Sequence, residues 1–385
     1  MTIHSLTTLD ELGSVRDYWQ ASQCHANHDL AQFELVCRLR PEVLSPFVTV
    51  IDHEHQPAVL LAGRLEQTTV APAIGYFKPV AVPARVLVVI HEGVIGPLDD
   101  QTAELTIDHL ISLLANGVAD ALNFHHLGEQ SPLLKALQHR RSTSLCSVSP
   151  RWITHRAMCL DKAGKTLDQA MSARHRSSMR KRLRELDAAY RGRITWRWLS
   201  SFDDMAGLCR QLEAVAATTY QRGLGVGFFD NEEYRRRFEL FASRGQLRVC
   251  LLDIDGQTRA FWFGTVYDGV FNATETAYDP AYRDYQIGML LFARMVDELA
   301  REGVRRLDFG IGDAHYKQRF ADQSWRETSV WMYAPTLKGQ LMKMLQGSCD
   351  LIDAAVRSIL NRAGQTSRLK TFLRLRVVRS ARTES

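Results

Sequence analysis

The chain has 385 residues, 45% of them hydrophobic and 24% charged, which excludes a collagenous, coiled-coil or disordered polymer and allows two domains at the usual ~100–200 residues each. Lys and Arg number 48 against 43 Asp and Glu, a net charge of +5 that is mild for a dedicated nucleic-acid binder. The charge is uneven: residues 1–150 hold 9 basic and 16 acidic side chains, the remainder 39 and 27, so an anionic ligand is expected in the second half.

Residues 8–24 have the spacing of a helix, with Leu9, Leu12, Val15 and Trp19 on one face. Phe47–Ile51 and Ala58–Ala62, joined by a polar turn, read as a hairpin, and Val86–Ile90 as a further strand. Leu105, Leu110, Ile111, Leu114 and Val118 return to helical spacing. From about 152 the order restarts: a strand Trp152–Leu160, a helix from Thr166 to about Ala189, a strand Thr195–Leu199, and a helix opened by Ser201 and Asp204. Gln246–Asp253, Thr258–Tyr267 and Val270–Tyr278 form a meander turned by Asp255-Gly256 and Asp268-Gly269, strong hairpin signals. A helix Ile287–Glu302 stopped by Gly303 and a strand Arg306–Phe309 follow. Leu341, Leu345, Ile352, Val356 and Ile359 form a helical stripe, and beyond it Arg357, Arg362, Arg368, Lys370, Arg374, Arg376, Arg379 and Arg382 face the single acid Glu384. The expected organisation is α/β (α+β), with domains 1–151 and 152–335 and a helix plus basic tail over 336–385.

Seven scattered cysteines without a CxxC pair indicate neither a disulfide framework nor a zinc site, so no metal is expected and a reducing cytoplasm fits. The opening residues lack a secretory signature, and the longest apolar runs are strand-sized, far short of a bilayer span.

The chemistry concentrates in Ala277–Leu291. A strand enters a polar turn holding Arg283 and Gln286, and Gly288 sits at a helix start whose unpaired N–H groups suit an anionic phosphate. Many helices begin this way without a ligand. Glu275 is a carboxylate in an otherwise uncharged strand, a costly position unless it is paired, functional or turned to solvent. Asp308-Phe309-Gly310-Ile311-Gly312-Asp313 reads as a strand end that sets two carboxylates beside a cleft, with Asp313 equally suited to capping the next helix. Tyr316 and Lys317 fall in that helix's first turn, and His315 is an exposed histidine or a second base. Gly223–Phe229 follows a helix, not a strand, and suits a mobile loop near an acceptor pocket better than a dinucleotide loop.

Meander, phosphate-type turn, helix and strand in this order resemble the second half of a GNAT-type (Gcn5-related) acyltransferase. Tyr278-x-Pro280, Leu307–Phe320 and the basic helix Arg174–Leu186 resemble the branch found in cellulose and exopolysaccharide loci, which is similar to the tandem-domain Fem-type peptidyltransferases. The resemblance covers about Leu160–Met332, and over residues 1–150 it rests on element order alone. It implies tandem GNAT-like domains, the first without cofactor chemistry. It further implies that Arg283 and the backbone of Gln286, Ile287, Gly288 and Met289 hold the pyrophosphate of acetyl-CoA or another acyl-CoA, although Gln286 replaces the loop's first glycine. Glu275 then corresponds to the family's base and Tyr316 to its acid, each with plain packing or solvent exposure as the alternative, Asp313 is the third expected catalytic residue, and Asp308, Lys317 and Tyr278 are expected to bind the substrate. The expected acceptor is an amine of a sugar, lipid or small molecule.

Two rivals follow. A Fem-like transferase would draw on aminoacyl-tRNA through the basic helix, and a catalytically silent scaffold in polysaccharide assembly would touch a membrane through the basic tail. Plain surface charge and a disordered tail are the corresponding bland readings.

Overall fold

A computed structural model of the chain describes residues 1–75, 77–140, 146–147, 152–160, 173–223, 225–312 and 314–362. The strands are β1 (Thr2–Leu6), β2 (Val43–His53), β3 (Gln56–Val70), β4 (Val82–Ile95), β5 (Ala121–Gly128), β6 (Cys146–Ser147), β7 (Ile153–Cys159), β8 (Ile194–Leu199), β9 (Leu247–Ile254), β10 (Gln257–Tyr267), β11 (Val270–Tyr278), β12 (Arg306–Ile311) and β13 (Gln323–Tyr333). The helices are α1 (Arg16–Ser22), α2 (Leu30–Leu39), α3 (Asp100–Ala115), α4 (Pro132–His139), α5 (Ala173–Ala189), α6 (Met205–Ala216), α7 (Tyr220–Gly223), α8 (Glu232–Ser243), α9 (Ile287–Arg301), α10 (His315–Phe320) and α11 (Leu337–Arg362). The helix expected over 8–24 is a 3-10 turn, Glu11–Val15, running into α1, and β1 precedes it. The start expected at Thr166 lies outside the described residues.

Two compact units result, one from residues 1–154 with 325–362 and one from residues 155–324. The first has sheet order β1-β2-β3-β4-β5-β13, with β6 also on β13. All these pairs are antiparallel except β4–β5, which α3 joins as a crossover helix. Leu12, Trp19 and Phe33 pack on one face with Val48 and Leu60, while Ile107 and Leu110 pack on the other with Leu87, Phe124 and Val330.

The second unit repeats the scheme as β8-β9-β10-β11-β12-β7, parallel only at β11–β12, with α9 as the crossover. Asp255-Gly256 (φ 55° and 71°) and Asp268-Gly269 (φ 43° and 68°) have the positive φ pairs of type I′ hairpins, so the meander forms where the sequence places it. Leu291, Met295 and Leu299 of α9 pack on Leu252, Trp262 and Phe271, and α6 and α8 cover Leu251, Phe261 and Phe263 on the opposite face.

The first unit takes its last strand from beyond the second, whereas the strand that completes the second opens that unit's own stretch of chain. β13 completes the first sheet, Val330 opposite Phe124, and β7 completes the second, Asp308 opposite Ala157. The units therefore depart from the contiguous division expected at 151/152 and 335/336. Val330, Met332 and Tyr333, fully buried apolar residues, belong to the first unit, as does α11. Both sheets share one irregularity: registers break beside Gly63 in β3 and Gly264 in β10, where a Cβ would press on the carbonyl oxygen of Val88 (3.0 Å) or collide with that of Asn272.

Candidate active site in the second unit

Beside the bulge at Gly264, β11 and the end of β12 border a cleft of about 530 Å³ lined by Gln221, Trp262, Glu275, Phe309, Tyr316 and Lys317, among others. Three residues singled out from sequence thus converge from two distant segments. Burial pushes the Glu275 carboxyl up to about 7, against the charge of Lys317, which lowers it. Lys317 is shifted down by burial, opposed by Asp308 and Glu275, and its ammonium donates to the carbonyls of Phe309 (2.6 Å) and Ile311 (2.8 Å). The ammonium thus ties α10 to the end of β12, where Gly310 and Gly312 adopt φ of 68° and 104°. The Tyr316 ring meets Trp262 edge-on at 5.8 Å and Phe309 at 6.0 Å, which fixes its place at the wall.

Asp308 differs from expectation. Its carboxylate does not line the cleft; it is buried and accepts from the Gly310 N–H (2.7 Å) while meeting His155 Nε2 of β7 at 2.6 Å. Asp308 therefore fixes the turn that carries Lys317's carbonyl partners. His155 escaped the sequence reading because its partner lies 153 residues away. Trp262 and Gln221 were missed too. The buried indole N–H of Trp262 has no hydrogen-bond partner among the described residues, and nothing in a regular strand pattern marks it. Asp313 lies outside the described residues, and His315 is exposed. The loop expected to be mobile is anchored: Phe228 is buried in the core, and the Arg222 guanidinium donates to its carbonyl (2.9 Å).

The expected phosphate loop is a 3-10 turn, Pro280–Tyr285, ending in Gln286 at φ 55°, ψ 39°, which caps α9 without any side-chain bond. Arg283 sits in the last turn. The Gln286 and Met289 N–H groups bond to the carbonyls of Arg283 (3.0 Å) and Gln286 (2.9 Å), so the amides left for an anion are those of Ile287 and Gly288. Ile287 contributes only backbone, its side chain being fully buried, and Met289 packs against the core. Gly288 has a reason other than the open approach expected: a Cβ there would stand 2.9 Å from the ring of Tyr278, a half-exposed side chain lying over the helix start. The Ile287 and Gly288 amides suit a pyrophosphate, with Arg283 in the preceding turn, while the side of Gly288 where a Cβ would stand is covered by the Tyr278 ring. Alongside runs α5, whose Met179 and Leu186 face the core while Arg174, Arg180, Lys181 and Arg184 are exposed, and Tyr190, next after it, meets Tyr282 and Tyr285 of the loop at 5.7 and 5.8 Å.

Comparison with known proteins agrees with this geometry. Residues 173–318 match the acetyltransferase (GNAT) domain family. A search of curated protein sequences finds no match. Among solved structures the chain is similar to FemX, at 10% identity over 90% of this chain and 100% of that one with a TM-score of 0.58. It is similar to L-PGS from Bacillus licheniformis (11% identity, 92% and 98% covered, TM-score 0.51) and to a tandem GNAT protein from the clavulanic acid biosynthesis pathway (13%, 87% and 99%, 0.50). The two units thus share a tandem GNAT-like fold, and residues 173–318, in the second, match the acetyltransferase (GNAT) domain family.

Proposed function

We propose that this chain, whose second unit is a GNAT-type acyltransferase domain, transfers an acyl group from acyl-CoA directly to an amine. The observation that supports the reading is the convergence of Glu275, Tyr316 and Lys317 on one cleft, in a unit whose crossover helix α9 begins without a side-chain cap. An acyl-CoA would place its pyrophosphate against the Ile287 and Gly288 amides and Arg283. The amine arrives as an ammonium and must lose a proton before it attacks. Glu275, titrating near 7, accepts that proton on its carboxylate at neutral pH. Tyr316 donates its phenolic proton to the departing thiolate. The Lys317 ammonium holds the β12 exit open and keeps Glu275 partly ionised.

The first unit binds no cofactor in this reading. Asp99 caps α3 by accepting from the Thr102 N–H (2.7 Å), and Asp100 follows in the first turn, so a phosphate meets two carboxylates. The acceptor is an amine of a sugar, lipid or small molecule, including those of surface polysaccharide assembly, and the reaction takes place in the cytoplasm, where acyl-CoA is available.

Coenzyme A and acetyl-CoA should each raise the thermal unfolding midpoint saturably, the stabilisation reaching about 2.7 kcal/mol at a hundredfold excess over Kd. Arg283→Ala should weaken that response while leaving the unliganded midpoint in place. No shift in a cooperatively melting protein sinks the acyl-CoA reading. A second reading, an aminoacyl-tRNA donor, is favoured by the exposed cations of α5 beside the loop. Steeply salt-dependent tRNA binding without any response to CoA would select it.

A further inference from the structure

The 26-residue helix α11 is held to the first unit along one side only. Met342 and Cys349 are buried there, and Asp353 accepts from the Gly75 N–H at 2.8 Å. On another side Leu341, Met344, Leu351, Ile352, Val356 and Ile359 are exposed, Leu351 by 76% and Ile359 by 67%. At 100° per residue these span an arc of about 140°, wider than the two-position seam of a coiled coil, and Ser348 falls in its middle. Apolar area of this extent marks a contact surface. The sequence supplies its sign: the 23 residues after α11 hold six Lys or Arg against one Glu, interleaved with Leu369, Phe372, Leu373, Leu375, Val377 and Val378. No helix among the described residues is long and apolar enough to cross a membrane.

We infer that the exposed apolar face of α11, together with the basic sequence that follows it, seats on an anionic phospholipid surface, the helix lying in the interface with its apolar arc toward the acyl chains. A wide apolar arc with adjoining cations is what interfacial helices carry, and the cations make the attraction specific for anionic headgroups. This inference is independent of the acyl-CoA reading.

The test is flotation of the full chain with phosphatidylcholine vesicles with and without phosphatidylglycerol. Partition is expected only with phosphatidylglycerol and should weaken as salt is added. Leu351→Ser with Ile359→Ser should lower the partition coefficient about tenfold or more, and Arg374→Ser with Arg376→Ser about thirtyfold. The Leu351→Ser, Ile359→Ser pair should leave the circular dichroism spectrum and unfolding midpoint unchanged, because both side chains are exposed and no buried contact is removed with them. Absence of flotation with anionic vesicles, equal flotation with neutral ones, or indifference to both variant pairs would overturn the inference. A concentration-dependent dimer that the Leu351→Ser, Ile359→Ser pair dissociates, in a protein that ignores vesicles, would assign the face to a second copy instead.

Discussion

The two crossover helices, α3 and α9, occupy the same place in the two sheets and begin in opposite ways. α3 satisfies its own start through Asp99, whereas α9 begins at a left-handed Gln286 with no side-chain cap. The difference extends to the neighbouring strand. Counted from the bulge partners Val89 and Ala273, the second residue onward is His91 in β4 and Glu275 in β11. His91 meets the buried Glu327 carboxylate at 3.4 Å and the His126 ring at 5.3 Å, within its own unit. Glu275 instead faces a cleft with only Lys317 to offset its burial. One fold therefore carries two arrangements: at this position the first unit pairs a histidine with a buried carboxylate, and the second turns a carboxylate to a cleft.

The sharpest way to break this comparison is Glu275→Gln, expected to lower kcat by about 10²–10⁴-fold and to remove the rise of activity through pH 7. The same change should stabilise the fold above that pH. A carboxyl whose pKa is raised on folding contributes least when ionised, so the unfolded state gains as pH climbs from 4.5 to about 7, by an amount on the order of 2–3 kcal/mol that the neutral amide of this variant would spare. Activity unchanged in this variant would return Glu275 to an ordinary strand position. Next in size, Asp308→Ala should cost about 3–5 kcal/mol in a denaturant titration, since it leaves His155 buried without its carboxylate and frees the Gly310 turn. Asp99→Ala should cost about 1 kcal/mol in the same titration and leave any response to coenzyme A untouched, because the proposed anion site is at the start of α9. The smallest effect is Lys317→Met, which should move the pH–rate inflection upward by removing the charge that lowers the Glu275 carboxyl. A downward move would contradict the placement of Lys317.

Where neighbours in sequence decide the structure, the sequence was legible. Asp255-Gly256 and Asp268-Gly269 set the meander, and β11 runs over Val270–Tyr278, the bounds expected from sequence. Glu275 stood out because a lone carboxylate in a strand needs a reason, and it does line the cleft. What distance decides was hidden. β13 carries no local mark of its partner β5, and the Asp308–His155 pair joins segments that only the folded sheet brings together. Gly288 shows a third case, where the residue type was read as permitting a ligand although the ring of Tyr278 already requires it.

The place of β13 in the first sheet has a consequence for synthesis on the ribosome. The first unit cannot close its sheet when residue 154 emerges, because the strand that covers β5 ends at Tyr333. At translation rates of roughly 5–20 residues per second, the edge of β5 waits on the order of ten seconds or more with its backbone donors and acceptors unpaired. During that interval the nascent chain presents a template for pairing with other chains, a kinetic hazard absent from the finished molecule. A fragment ending near residue 151 would make that interval permanent and should aggregate, its core also lacking Val330, Met332 and Tyr333.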